Sequence, residues 1–293
     1  MSLAALRVSV LPGRLARLTK IRIAVVSTFA ALTGSVVFAP RPDLGLLTVC
    51  AAVLLLAMGA LALNEWQERA LDGRMPRTQG RPIPAGEISP ASALAIAAAL
   101  IVAGLALLYF LHGRTPALLG FATVAWYNAL YTPLKRVTAF AAVPGGIVGM
   151  GAPAIGWTAA GGRLDDPRLW ALAFFFFVWQ VPHFWLLLLR HGREYTGAGL
   201  PSLLHLAGPG GLARLTSAWL ATAAVTAPLL VLYGLAHSPW TGMALLVSGL
   251  VLAATGLLGL ARADVTLRAP RLFGALNVFA CVVMLLLLAD AVR

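Results

Sequence analysis

Charge is what this sequence has least of. Only 11% of its 293 residues are Asp, Glu, Lys or Arg, whereas a soluble domain carries about 25%. A water-facing surface of ordinary size cannot be built from so few. Acids are the scarcer sign, 10 against 22 Lys and Arg, for a net charge of +12. Such a balance raises nucleic acid as a partner, but the basic residues sit in short stretches between long apolar runs. No basic face can be assembled from them, and nucleic acid is excluded. Cysteine is nearly absent. Cys50 and Cys281 each lie inside an apolar run with no partner motif nearby, which excludes a disulfide framework or a paired metal site. Alternating segments of about ten residues are missing as well, and with them a transmembrane barrel.

What is present is apolar length. The chain is 60% hydrophobic, with a mean hydropathy of +0.88. A helix that crosses a bilayer needs about 20 mostly apolar residues. Nine runs qualify: Ile23–Ala39, Leu44–Leu63, Ala91–Leu111, Ala117–Leu134, Phe140–Ala160, Leu169–Leu189, Leu215–Leu235, Trp240–Leu260 and Leu272–Ala289. No stretch between them is long enough for a soluble domain. The expected fold is all-α, a polytopic bundle of nine transmembrane helices in one domain over residues 23–293. Residues 1–22 read as a basic arm, with Arg7, Arg14, Arg17 and Lys20, no acid and no small-residue cleavage site.

Orientation follows from the cations, because Lys and Arg collect on the cytoplasmic side. With the N-terminus inside, all but five of the 22 cations fall in inner segments. The exceptions are Arg41, Arg114, Arg163, Arg168 and Arg293. The outer loops are short and bland, so the chemistry is expected on the cytoplasmic face.

Three polar constellations share that face. Helix two runs on into Asn64, Glu68 and Asp72, spaced i, i+4, i+8. That spacing places them on one helical stripe about 12 Å long. Acids gathered at a membrane edge are costly unless a cation joins them. Mg²⁺ takes oxygen ligands and is commonly held by one or two carboxylates plus substrate phosphates. A solvated helix end is the alternative. Directly after come Arg74, Arg77 and Arg81, framed by Pro76, Pro82, Pro84 and Gly86. Positive-inside anchoring explains their charge but not the framing, which shapes a loop that presents arginine forks suited to phosphate. Behind helix six stand Arg190, Arg193, Glu194 and Tyr195, and at the end of helix four Tyr131, Lys135 and Arg136. Together they describe a site for a lipid-tailed diphosphate. His183 follows Pro182 inside an apolar run; it is either a packed, hydrogen-bonded imidazole or a contact to haem, and both readings stand.

These residues resemble the UbiA-type intramembrane prenyltransferases and, within them, the protohaem IX farnesyltransferase (haem O synthase) branch. The superfamily mark is the acidic helix face followed by Arg81-Pro82 and Gly86. The narrower match runs through Asn64/Glu68/Asp72, Met75-x-Arg77-Thr78-x-x-Arg81-Pro82, Tyr131-Thr132-x-x-Lys135-Arg136, Gly156-Trp157, Trp179-x-x-Pro182-His183-Phe184 and Glu194-Tyr195-x-x-Ala198-Gly199-x-Pro201, in that order. Glu68 and Glu194 stand where aspartate is common, residues 139–143 lack an expected Asn-Ile-Val, and Ser202 replaces a usual methionine. The resemblance implies Mg²⁺-assisted transfer of farnesyl from farnesyl diphosphate to a vinyl group of protohaem IX (haem B), through an allylic cation. It implies Asn64, Glu68, Asp72 and Glu194 as metal ligands, and Arg77, Arg81, Lys135, Arg136 and Arg193 as the diphosphate cradle. Tyr131 joins Asn64, Glu68 and Asp72 in catalysis by screening the cation. The partners implied are a lipid bilayer and a downstream haem-accepting or haem A-forming membrane protein. The location implied is a bacterial inner membrane, or a mitochondrial one in a eukaryote. The rival readings are a UbiA-type enzyme with another aromatic or chlorin acceptor, and a transporter, disfavoured because the acids sit at helix ends and not at the midplane.

Overall fold

The computed structural model describes residues 12–260 and 265–293, with every side chain among them except those of Arg193, Leu260, Val265 and Thr266. Among the described residues the chain is helical, without strands. The long helices are α1 (Ile21–Phe38), α2 (Leu44–Asp72), α3 (Pro90–His112), α4 (Arg114–Ala125), α5 (Ala142–Ala159), α6 (Pro167–Gly197), α7 (Leu203–Leu232), α8 (Pro239–Leu260) and α9 (Val265–Ala291). Each packs on its neighbour in sequence, and α9 returns to α1, so the helices close a ring. Seven are long and apolar enough to cross a membrane, all but α4 and α5. The chain is a multi-pass membrane protein.

The two helices that fall short of this measure have visible causes. Helix α4 gives way to a π-helical turn, Trp126–Tyr131, before a last helical piece, Thr132–Leu134. The Thr132 N–H reaches Tyr127 O, five residues back, and Pro133, which has no N–H to give, follows directly. Helix α5 is 18 residues long with Pro153 inside it, and its glycines serve close packing in place of hydropathy. A Cβ on Gly156 would run into the Ala31 carbonyl, and one on Gly34 into that of Pro153. Small residues let α1 and α5 approach backbone to backbone, the usual device where lipid offers no hydrophobic drive.

The starts of α2 and α3 are capped by side chains, with Asp43 accepting from Leu46 N at 3.0 Å and Ser89 from Ser92 N at 3.1 Å. One core joins α6, α7, α8 and α9 through fully buried Phe175, Leu220, Leu245 and Leu276; a second joins α2, α3 and α4 around Val53, Leu56 and Leu108. Outward side chains are apolar as well, among them Phe110, Leu232 and Trp240, as lipid contact requires.

Helix α2 runs on to Asp72 as the sequence reading expects, whereas the end of α6 and the starts of α7 and α9 differ from it. Helix α2 is 29 residues long, about 43 Å at helical rise, and so outruns the roughly 30 Å hydrocarbon slab. Its last turns carry the acids beyond the apolar layer. Helix α6 does not end at Leu189 but runs to Gly197, so Glu194 is a helical residue and not a loop one. Helix α7 starts at Leu203, well before Leu215, and absorbs a break at Gly208, φ 66°. Apolar windows mark only the part of a helix inside the slab, so polar extensions escape them.

The described part of the basic arm is folded against the bundle. Residues 12–18 are helical, Arg14 and Arg17 pair with Glu87, and Leu18 is buried with Ala62, Ile83, Ile88, Ala93 and Ala97. Arg7 lies outside the described residues.

Candidate active site

The polar site lies at one end of the ring, where α2, the π-turn piece and α6 finish and α1 begins. Asn64, Glu68 and Asp72 are 3%, 8% and 1% exposed, so the predicted stripe is a buried one. Asn64 Nδ2 donates to Glu68 Oε2 at 3.0 Å, the i, i+4 contact of a helical face. The same amide donates to Thr132 Oγ1 at 3.1 Å, stitching α2 to the end of the π turn.

Each acid has a dedicated cation. Lys135 Nζ lies 2.6 Å from Glu68 Oε1, and Arg81 Nη1 donates to Asp72 Oδ2 at 2.6 Å. Buried carboxylates are tolerated only when paired and hydrogen-bonded. The loop that carries Arg81 is held in turn: Thr78 Oγ1 donates to Asp72 O at 2.9 Å, and Ile83 N donates to Glu65 Oε1 at 3.3 Å. Gly86, at φ 71°, turns that loop back towards α3.

A row of rings leads away from the ion pairs. Lys135 Nζ sits 5.0 Å from the Tyr131 ring centre. Tyr131 stacks on Tyr127 at 5.9 Å and on Phe184 at 5.4 Å, and Phe184 meets His183 edge-on at 5.9 Å. Gly145 lies against Tyr131, where a Cβ would come 2.5 Å from the ring. Trp179 and Phe273 enclose His183 at 4.9 and 4.6 Å. The arrangement is a charged mouth joined to an aromatic wall that ends on an imidazole.

The structure gathers Asn64, Glu68, Asp72, Arg81, Lys135 and Tyr131 in this one region. Among the described residues Glu194 makes no hydrogen bond or ion pair with the stripe. It accepts from Arg77 N at 3.4 Å and lies 3.2 Å from His191 Nδ1, which ties the arginine loop to α6. Arg77 itself is exposed. Arg136 is exposed too and donates to Gln67 O at 2.9 Å, on the flank of α2 beside a cavity of about 310 Å³ shared with Trp66, Arg69 and Asn128. The side chain of Arg193 is outside the described residues.

Oxygen donors from Asn64, Glu68 and Asp72 suit a hard divalent cation. Among the described residues no three His, Cys, Asp or Glu converge as a closed metal cage. An open set of this kind is what Mg²⁺ uses when substrate phosphates complete its shell.

Two members of the site are silent in the sequence patterns. Lys20, at the start of α1 with φ 46°, extends Nζ to Asn64 Oδ1 at 3.2 Å. Burial lowers its ammonium to about 8, with Arg81 adding to the fall and Glu65, Glu68 and Asp72 opposing it. Glu65 is fully buried, and its Oε2 has no partner among the described residues. The spacing Glu65, Glu68, Asp72 (i, i+3, i+7) could have flagged Glu65, whereas Lys20 was hidden among ordinary anchoring cations.

Comparison with known proteins agrees with this architecture. The protoheme IX farnesyltransferase of Geobacter sulfurreducens is 42% identical over 222 residues, covering 75% of this chain and 82% of that protein. That of Oleidesulfovibrio alaskensis is 34% identical over 274 residues, 93% and 94% of the two chains. Among solved structures, a UbiA homolog from Aeropyrum pernix superposes with a TM-score of 0.73 at 23% identity, over 90% of this chain and 98% of that one. A UbiA homolog from Archaeoglobus fulgidus, bound to GPP and Mg²⁺, gives 0.66 at 13% identity, over 94% and 99%; likenesses this distant speak for the fold alone. The pattern of the UbiA prenyltransferase family covers residues 23–277, and the chain belongs to that family.

Proposed function

We propose that this enzyme transfers the farnesyl group of farnesyl diphosphate to a vinyl group of protohaem IX, making haem O. The observation that carries the reading is the pairing of two buried acids with two cations at the head of an aromatic row. Similarity to relatives named protoheme IX farnesyltransferase supports haem as the acceptor. The transporter reading falls with membership of a transferase family.

Asn64, Glu68 and Asp72 would hold Mg²⁺, with Glu194 approaching from α6. When bound, the metal neutralises charge on the diphosphate and so favours its departure. Arg81, Lys135 and Lys20 then face a second anion, the diphosphate, with Arg77, Arg136 and Arg193 on the surrounding loops and helix ends. In the transfer step the allylic C–O bond breaks and its electron pair leaves with the diphosphate. Tyr131, Tyr127 and Phe184 present ring faces to the allylic cation. The π electrons of the vinyl group form the new C–C bond. Water captures the resulting carbocation and loses a proton, giving a hydroxyethylfarnesyl side chain. Tyr131, buried at the head of the row, would help keep water from quenching the cation before the vinyl group reaches it.

The membrane reading extends likewise: nine crossings, the N-terminus and the site on the cytoplasmic face, and a bacterial inner membrane as the location. Haem O would pass to a haem-accepting or haem A-forming membrane protein.

The deciding experiment supplies purified enzyme with labelled farnesyl diphosphate and Mg²⁺, together with protohaem IX, an aromatic acid or a chlorin, each alone. Label in protohaem alone, with the added mass of one farnesyl group plus one hydroxyl group, is the expected result. Label in another acceptor, with protohaem untouched, overturns the haem assignment and keeps the family.

A further inference from the structure

His183 on α6 and Asn277 on α9 are 94 positions apart in the chain, and His183 Nδ1 lies 3.2 Å from Asn277 Oδ1. The Asn277 amide is itself oriented, because its Nδ2 donates to Phe273 O at 2.7 Å, one turn back. A reversed amide would set two oxygens against each other at that distance, so the amide oxygen must face the imidazole. An amide oxygen only accepts, and Nδ1 therefore carries the proton. In a neutral imidazole the other nitrogen then holds a lone pair. Nε2 has no hydrogen-bond partner among the described residues, and it is not among their sealed-off unpartnered atoms. Trp179, Phe184 and Phe273 pack around the ring and resist its turning over.

We propose that Asn277 is a positioning residue, holding His183 as the Nδ1–H tautomer so that Nε2 is presented as an axial ligand to the iron of the incoming haem. The ligand half of this rests on the haem-acceptor reading above; the tautomer half does not. The physical ground is general: a metal-binding histidine is oriented, and its basicity set, by whatever accepts the proton on its other nitrogen. Iron ligation at the end of the aromatic row would fix the porphyrin, and hence its vinyl group, relative to the allylic carbon. Asn277 comes from the last helix, which carries none of the motifs quoted for the site, so α9 would join the acceptor side of the reaction.

The test uses full-length protein in detergent with ¹⁵N-labelled histidine, the His183 signals being identified by their loss in His183→Ala. Wild type should show Nδ1 protonated and Nε2 bare, and Asn277→Leu should lose that pattern. Haemin titration should then show affinity reduced about 10- to 100-fold in Asn277→Leu, with farnesyl diphosphate binding unchanged. Asn277→Asp should restore affinity, and the two variants should move the ferrous iron–histidine stretch in opposite directions, up for Asp and down for Leu. A packing role alone predicts equal losses for both ligands and no opposed shifts. A wild-type Nε2–H tautomer, or one unaltered by Asn277→Leu, overturns the proposal whatever the acceptor proves to be. The expected tautomer without an iron–histidine signature overturns the ligand half, and transfer to protohaem, measured separately, tells whether the acceptor reading falls with it.

Discussion

Two ends of the molecule carry ion pairs of nearly the same length in opposite settings. At the mouth, Arg81–Asp72 and Lys135–Glu68 are 2.6 Å contacts between segments nine and 67 residues apart, and Asp72 is 1% exposed. At the far end, between α5 and α6, Arg163–Asp165 and Arg168–Asp166 are 2.7 Å contacts between residues two apart, and the first pair stands open to solvent. Distance does not tell them apart. Surroundings do, because water screens the open Arg163–Asp165 pair to near nothing while the buried pairs face the full cost of any uncompensated charge. The mouth is thus primed to exchange one anion for another, and the far end is a polar finish to the helices.

The largest effect should come from removing charge without changing shape. Asp72→Asn should lower farnesyl transfer by at least about 100-fold, the scale of losing one preorganised electrostatic contact, in protein that still folds but melts lower, because Arg81 loses its partner. Full turnover at saturating Mg²⁺ would demote the stripe to structure. Stripping divalent cations with a chelator should abolish wild-type turnover, and added Mg²⁺ should restore it.

Next comes the buried pair itself. Lys135→Met leaves Glu68 without its cation and should cost about 3 kcal/mol, read as a lower thermal midpoint in detergent. Adding Glu68→Gln should recover much of that loss. Purely additive losses would mean that the two residues do not act as a pair. A smaller effect is expected from Gly145→Ala, whose Cβ would displace Tyr131. Turnover should fall about tenfold by misplacement of the ring, with the Km for farnesyl diphosphate little changed.

The far end should be silent. Arg163→Ala should leave turnover and melting temperature unaltered. Arg163 holds the Asp165 carboxyl below its usual range, by hydrogen bonding first. A depressed folded pKa gives stability that is present above the ordinary Asp value of about 3.9 and is lost only as pH falls through the folded one. Melting curves of wild type and Arg163→Ala should therefore run parallel from pH 8 to 5, and their offset should be near nothing because water screens the exposed pair. A difference in that window would erase the contrast between the two ends.

Much of this was legible in the chain. Scarce charge and long apolar runs demand a bilayer, and all nine runs are helical in the structure. The i, i+4, i+8 spacing put Asn64, Glu68 and Asp72 on one face, because helical periodicity is local. The Pro/Gly-framed arginine loop was legible for the same reason. The reach of α6 and α7 beyond the apolar layer was not, since hydropathy reports the slab and says nothing of what emerges from it.

By itself, then, the sequence determined the solvent, the helical class and the stripe of acids, all properties of residues within a few turns of one another. Only the tertiary structure decided which cation meets which acid, that Lys20 crosses 44 positions to reach Asn64, that Glu65 is sealed behind the loop after α2, and that Asn277 orients His183. Such contacts join residues far apart along the chain, and their partners are chosen by how the ring of helices closes. No periodicity within one helix records that closure, because it is set by the packing of small residues between backbones and by the cost of leaving a buried charge alone.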